Sequence, residues 1–216
     1  MNILNLLFEK IYVISSFSTQ DRISDLIQFL NNENIKYELV IAPKKKYFIP
    51  NYDKTTLNEG AQSLISVNES IFLKEYHLKS ESFCIIEDDI YFDVDYIVKL
   101  NKFFADLPND WEMLNLGHHD HSFITSKMAH DNLYYKVNNI EEIVGTHVVV
   151  YKKHIVKLLL ELIENCIHPM DWFLTRNIYS NCNTYICVDK IFYASSYREY
   201  EFDKNKFYKK YKSAIF

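Results

Sequence analysis

Glycine is the scarcest informative residue in this chain: Gly60, Gly117 and Gly145 are the three present in 216 residues. They stand too far apart to form either G-x-G-x-x-G or G-x-x-x-x-G-K-[ST], which excludes glycine-rich dinucleotide turns and P-loops. A nucleotide phosphate handled by this chain must therefore be neutralised by a metal ion or by basic side chains, not by a nest of backbone amides. Excess positive charge is also lacking. Lys and Arg number 24 against 29 Asp and Glu, a net charge of −5, so no nucleic-acid partner is expected. Cys84, Cys166, Cys182 and Cys187 show no paired C-x-x-C spacing, which fits reduced thiols in a reducing compartment. No apolar run approaches the roughly 18 residues needed to span a bilayer. The opening MNILNLLFEK has no basic flank and meets Glu9 at once, a poor secretory signal, so a cytoplasmic location is expected.

What is present is the composition of a packed globular chain, 48% hydrophobic and 25% charged. Strand-like and helix-like runs alternate, with no repeat, low-complexity block or Ser/Gly/Pro-rich linker. KIYVISS at 10–16 reads as a strand. The helix after it has Ile23, Leu26, Ile27 and Leu30 on one face and Ser18 or Thr19 as N-cap. A second strand is expected over 36–42, a long surface loop over 43–58 and an amphipathic helix over 60–77. Phe83-Cys84-Ile85-Ile86 reads as a strand covered on both faces. Beyond it the pattern predicts a helix from Tyr96 to near Leu107 and strands over 111–116 and 144–151. Helices are expected over 155–163 and 169–179, and strands over 184–188 and 191–193. The class is α/β, a mixed sheet between helical layers in one domain spanning 1–197, with a basic and aromatic tail at 198–216.

The strand at 83–86 runs directly into Glu87-Asp88-Asp89. In an extended segment alternate side chains share a face, so Glu87 and Asp89 can converge on one cation while Asp88 points the other way. Carboxylate oxygens suit Mg²⁺ or Mn²⁺. Three adjacent acids at the carboxyl end of a buried strand repel one another, and open α/β sheets place ligands at those ends. The competing reading is a solvated acidic turn capping the next helix.

Several segments, taken in order, resemble family 25 glycosyltransferases, the lipooligosaccharide-biosynthesis and collagen galactosyltransferase group. They are IYVISSFSTQDR, KYELVIAPKK, GAQSLISVNESIF, FCIIEDDIYF, LPNDWEMLNLG, GTHVVVYKKH and HPMDWFLT. One departure stands out: Ser66-Val67 occupies the place where family members usually have Ser-His. The resemblance implies a GT-A fold, Rossmann-related, and a metal-dependent transfer of a hexose from a UDP-sugar to a glycan or glycoprotein hydroxyl, with inversion. It implies Mn²⁺ or Mg²⁺ held by Asp89, with Glu87 nearby. Val13, Ile14, Ser15, Arg22 and Ala42 would line the nucleotide side, Asp88 would reach the ribose, and Gly145 and Thr146 would line the active site. On the residues alone, Arg22 equally suits a salt bridge with Asp21 or Asp25 on its own helix.

His168-Pro169-Met170-Asp171 offers Asp171 as the base that deprotonates the acceptor and His168 as a further metal ligand. Proline followed by an acid is also an ordinary helix start. Gly117 and His118 are assigned to a loop beside the acceptor. The run His118-His119-Asp120-His121 invites a zinc reading, but adjacent histidines rarely converge on one ion. The tail carries six Lys and Arg against three acids, interleaved with aromatics, which suits peripheral contact with an anionic membrane or a solvated helix packed on the domain. Two other classes remain: a catalytically silent, glycosyltransferase-like module that binds a glycan or a partner, and a metal-dependent phosphohydrolase. The phosphohydrolase lacks an acidic nucleophile on its first strand.

Overall fold

The computed structural model describes residues 2–16, 20–42, 57, 59–78, 80–118, 133–137, 145–188 and 191–194. The expected tail, the His119 to His121 part of the histidine run, the Ser18 or Thr19 cap and all of the 43–58 loop except Leu57 lie outside the described residues.

Nine strands are described: β1 (Lys10–Ser16), β2 (Glu38–Ala42), β3 (Ser82–Glu87), β4 (Ile90–Phe92), β5 (Met113–Gly117), β6 (Tyr134–Lys136), β7 (Val148–Lys152), β8 (Thr184–Cys187) and β9 (Phe192–Ala194). The helices are α1 (Leu4–Leu7), α2 (Gln20–Asn32), α3 (Glu59–His77), α4 (Tyr96–Asp106), α5 (Val156–Ile163) and α6 (Met170–Asn177). A short 3₁₀ turn, Lys153–Ile155, leads into α5.

Seven strands form one mixed sheet in the order β2-β1-β3-β7-β5-β8-β6, and β4 pairs with β9 in a separate ribbon. β1, β2 and β3 are mutually parallel, and β8 is parallel to β5. β7 runs antiparallel to both β3 and β5. The carboxyl ends of β1, β2, β3, β5 and β8 therefore share one edge of the sheet with the start of β7. That geometry gathers the site, because Ser15, Ala42, Glu87, Gly117 and the segment entering β7 all lie along this edge.

The period of two along the strands divides the apolar side chains between two cores. Tyr12, Ile14, Phe83, Ile85, Val149 and Tyr151 face α3, α5 and α6, where Ile65, Phe72, Leu159, Phe173 and Leu174 meet them. Ile11, Val13, Cys84, Ile86, Leu114 and Val150 face α1, α2 and α4, packing on Leu4, Leu26, Leu30, Tyr96, Leu100 and Phe103. Each such large side chain, when fully buried, contributes roughly 1.5–3 kcal/mol relative to exposure. Both faces of β3 are thus sealed, and the strand delivers its acids to the sheet edge on a rigid support.

The strand expected from 144 begins at Val148 in the structure, because Gly145 takes φ 99° and the chain turns before the ladder starts. The helix expected from 155 begins one residue later, after the 3₁₀ turn. The short elements α1, β4 and β6 fall below the length at which hydrophobic periodicity is readable.

Candidate metal and nucleotide site

Glu87 ends β3, and Asp88 and Asp89 form the turn into β4. The β3–β7 register pairs Ile86 with Val148, so His147 stands opposite Glu87. The Glu87 backbone N–H donates to the His147 carbonyl at 2.9 Å, extending the ladder by one rung. Side chains complete the junction. Thr146 Oγ1 donates to Glu87 Oε1 at 2.8 Å, and His147 Nδ1 lies 3.1 Å from Glu87 Oε2 and 3.7 Å from Asp89 Oδ1. Glu87, Asp89 and His147 each offer one ligand atom within 4.8 Å of the others. Two hard carboxylates and one imidazole form a donor set that fits Mn²⁺ well and Mg²⁺ through its oxygens.

The alternation expected of Glu87-Asp88-Asp89 has a counterpart in this geometry. Asp88 leaves the trio and accepts a hydrogen bond from Ser15 Oγ at 2.5 Å, which ties it to the carboxyl end of β1. Asp171 sits in the first turn of α6, where its Oδ1 accepts the Trp172 N–H at 2.9 Å. Its charge is the last and smallest of those that favour the protonated form of His147.

His147 is 5% exposed. Burial disfavours its charged form, but the hydrogen bond to Glu87 and the charges of Glu87, Asp89 and Asp171 outweigh burial and raise its pKa above the ordinary histidine value of 6.5. A raised folded-state value means that the imidazolium stabilises the fold fully below the ordinary value and that this contribution is lost as pH rises through the raised one. Thermal melts in a chelating buffer are therefore expected to show a falling melting temperature over the neutral to mildly alkaline range. Metal ligation needs the neutral ring, so cation affinity is expected to rise over the same interval. A melting profile that stays flat as pH rises above the ordinary histidine value would contradict this picture.

The support beneath the cluster comes from Asn115, a fully buried polar residue in the otherwise apolar strand MLNLG. Its Nδ2 donates to the Gly145 carbonyl and to the Tyr179 hydroxyl, both at 2.9 Å, and its Oδ1 accepts the Gly117 N–H at 3.1 Å. The β5–β7 register shifts between Asn115 and Gly117. A Cβ at Gly117 would lie 3.0 Å from the Val148 nitrogen and 3.3 Å from the His147 Cβ, so this glycine permits the close approach that sets His147 in place.

The other sequence-predicted residues fall into several groups. Ser15, Ala42, Gly117, Gly145 and Thr146 lie along the same edge of the sheet as Glu87. Val13 and Ile14 are core side chains and can offer a ligand only their backbone. Arg22 lies on α2, but its side chain is outside the described part of the structure. His118 is buried, its Nε2 2.9 Å from the Cys187 carbonyl, which anchors β5 to β8. His168 is not brought into the metal trio: its Nε2 lies 3.2 Å from the Arg176 guanidinium, beside Trp172. The imidazole in the trio belongs to His147, which sequence reasoning passed over. The available signal was the polar triplet Gly145-Thr146-His147 entering an apolar strand, but its position opposite Glu87 depends on the antiparallel register. Asn115 was missed as well, although a lone amide in an apolar strand was visible.

No family model and no curated protein sequence matches the chain. Among solved structures, the chain is similar to a glycosyltransferase involved in the glycosylation of the major capsid of PBCV-1. The TM-score is 0.52 at 10% identity, with 94% of this chain and 99% of the other covered. It also aligns with the inositol-1-phosphate CTP transferase from T. maritima, with a TM-score of 0.45 at 14% identity, covering 95% of this chain and 76% of that one. The first likeness shows the fold: a mixed α/β sheet flanked by helices, of the GT-A type. Among the described residues, no helix is long and apolar enough to cross a membrane.

Proposed function

We propose that this chain is a metal-dependent glycosyltransferase that moves a hexose from a UDP-sugar to a hydroxyl of a glycan or glycoprotein, with inversion at the anomeric carbon. One observation carries the reading: Glu87, Asp89 and His147 converge within 4.8 Å at the carboxyl edge of a GT-A-type sheet. The similar solved structure is that of a glycosyltransferase, and the ordered motifs resembling family 25 point the same way.

In this reading Asp89, Glu87 and His147 would hold Mn²⁺ or Mg²⁺, which would supply Lewis-acid charge to offset a diphosphate leaving group. Thr146 and His147 fix both oxygens of Glu87, so that carboxylate is oriented before any ligand arrives. Asp88, held by Ser15, addresses the ribose. Asp171, in the first turn of α6, accepts the proton of the acceptor hydroxyl in this reading.

A panel of UDP-sugars, tested for hydrolysis with Mn²⁺ and again with chelator, checks this directly. At least one sugar nucleotide is expected to turn over with the cation and not without it. A second reading, a silent glycan- or partner-binding module, draws support from His147: as an imidazolium it offsets one of the two carboxylate charges without a metal. Absence of turnover and of metal-dependent binding across the panel would favour that module.

A further inference from the structure

At the opposite end of the sheet lies a groove of about 610 Å³, lined by Tyr76, Ser80, Glu81, Lys152, Lys153, His154 and Lys157. Lys152 pairs with Ser82 at the start of β3, whereas Glu87 ends that strand, so about 17 Å of strand separates the groove from the acidic cluster. It belongs to a different site.

Its charge is unusual for a chain of net −5. Three lysines and a histidine fall within the six residues KKHIVK, and Lys152 and Lys153 are both partly buried. Among the described residues, neither of these two forms an ion pair with a carboxylate. Lys152 Nζ lies over the Trp111 ring at 4.3 Å, while the Lys153 backbone N–H is held by the Glu81 carbonyl. The acids nearby are engaged, two of them with the groove's own bases His154 and Lys157. Glu112 accepts His154 Nε2 at 2.6 Å, Glu161 pairs loosely with Lys157 at 3.7 Å, and Glu38 pairs with Lys74. Glu9 accepts the Glu81 backbone N–H. Glu75 is saturated by the Tyr12 and Ser80 hydroxyls. Glu81 is the one acid lining the groove, against three lysines, of which Lys157 already pairs loosely with Glu161.

Three lysines lining one groove with a single acid leave a local excess of positive charge, which an anion seated in the groove offsets. The groove also lies where the 3₁₀ turn feeds α5, an eight-residue helix whose N-cap has no side-chain hydrogen bond, so its positive end adds to the field. We propose that this groove binds a phosphate-bearing ligand through Lys152, Lys153 and Lys157, with Tyr76 flanking the organic part. Phosphate monoesters and diphosphates in solution and the headgroups of anionic lipids share that chemistry.

The test uses the full chain in EDTA, so that the acidic cluster has no cation through which to recruit an anion. Pyrophosphate is titrated in while backbone amide resonances are followed, and vesicles with and without phosphatidylglycerol are used for co-sedimentation. Saturable shifts confined to Tyr76, Ser80, Glu81 and 152–157 are expected for a soluble ligand, or retention by anionic vesicles alone for a headgroup. In either arm Lys153→Glu with Lys157→Glu is expected to weaken binding by about tenfold or more. Lys153→Ala with Lys157→Ala provides a milder check should the reversal disturb folding. Scattered, unsaturated shifts together with no vesicle binding would overturn the proposal. So would binding that persists undiminished in both folded variants.

Discussion

Asparagine in place of Asp89 is expected to lower sugar transfer by about a thousandfold while leaving the fold intact. The two side chains are nearly isosteric, and the amide oxygen can still face His147, which stands 3.7 Å from Asp89 Oδ1. What is lost is one of two negative charges in a three-donor set. Cation affinity depends on that charge, and with it the neutralisation of a diphosphate for which this glycine-poor chain has no P-loop. Loss of one carboxylate beside His147 also lowers the imidazole pKa, since Asp89 is one of the charges holding it up. The variant should therefore melt near the wild-type temperature but show a weaker pH dependence in chelator. Transfer at the wild-type rate with undiminished Mn²⁺ dependence would remove Asp89 from the site.

Asp171→Asn is the second large effect: turnover is expected to fall by about a hundredfold to ten-thousandfold, with UDP and Mn²⁺ binding kept. The local structure is expected to survive, because an asparagine Oδ1 can still accept the Trp172 N–H at the first turn of α6. A loss confined to kcat, with donor KM unchanged, is what removal of a group acting on the acceptor hydroxyl requires. A pure helix-start role would lower the melting temperature and leave turnover nearly untouched. Steady-state kinetics with donor and acceptor varied separately, alongside melts, distinguish the two.

The contrast between these residues and His147 shows what the sequence carried. β3 could be read because a covered strand is a continuous apolar run, and Phe83 to Ile86 is one. The acids that end it were visible as a chemical anomaly on that run. The expected alternation assumed an extended segment, whereas Asp88 and Asp89 form a turn; that turn still sets Asp88 on Ser15 and the other two beside His147. His147 is sixty residues from Glu87 in the chain, and nothing local says that β7 runs antiparallel to β3. His168 was the histidine the sequence suggested, yet in the structure its ring nitrogen meets Arg176, near the end of the helix that begins two residues after it. Pairing partners distant in sequence decide such cases, and a single sequence does not reveal register. The Asn115 bridge to Gly145 and Tyr179 was hidden for the same reason, whereas Gly117 was seen but could be explained only when the approach of Val148 was known.

Calorimetric titration of UDP into the chain, once with Mn²⁺ and once with EDTA, tests the role of the acidic strand end most directly. Saturable heat is expected with the cation alone and is expected to vanish in a Glu87→Gln, Asp89→Asn double variant that still folds. Equal binding with and without the cation, or binding unchanged in that variant, would contradict it.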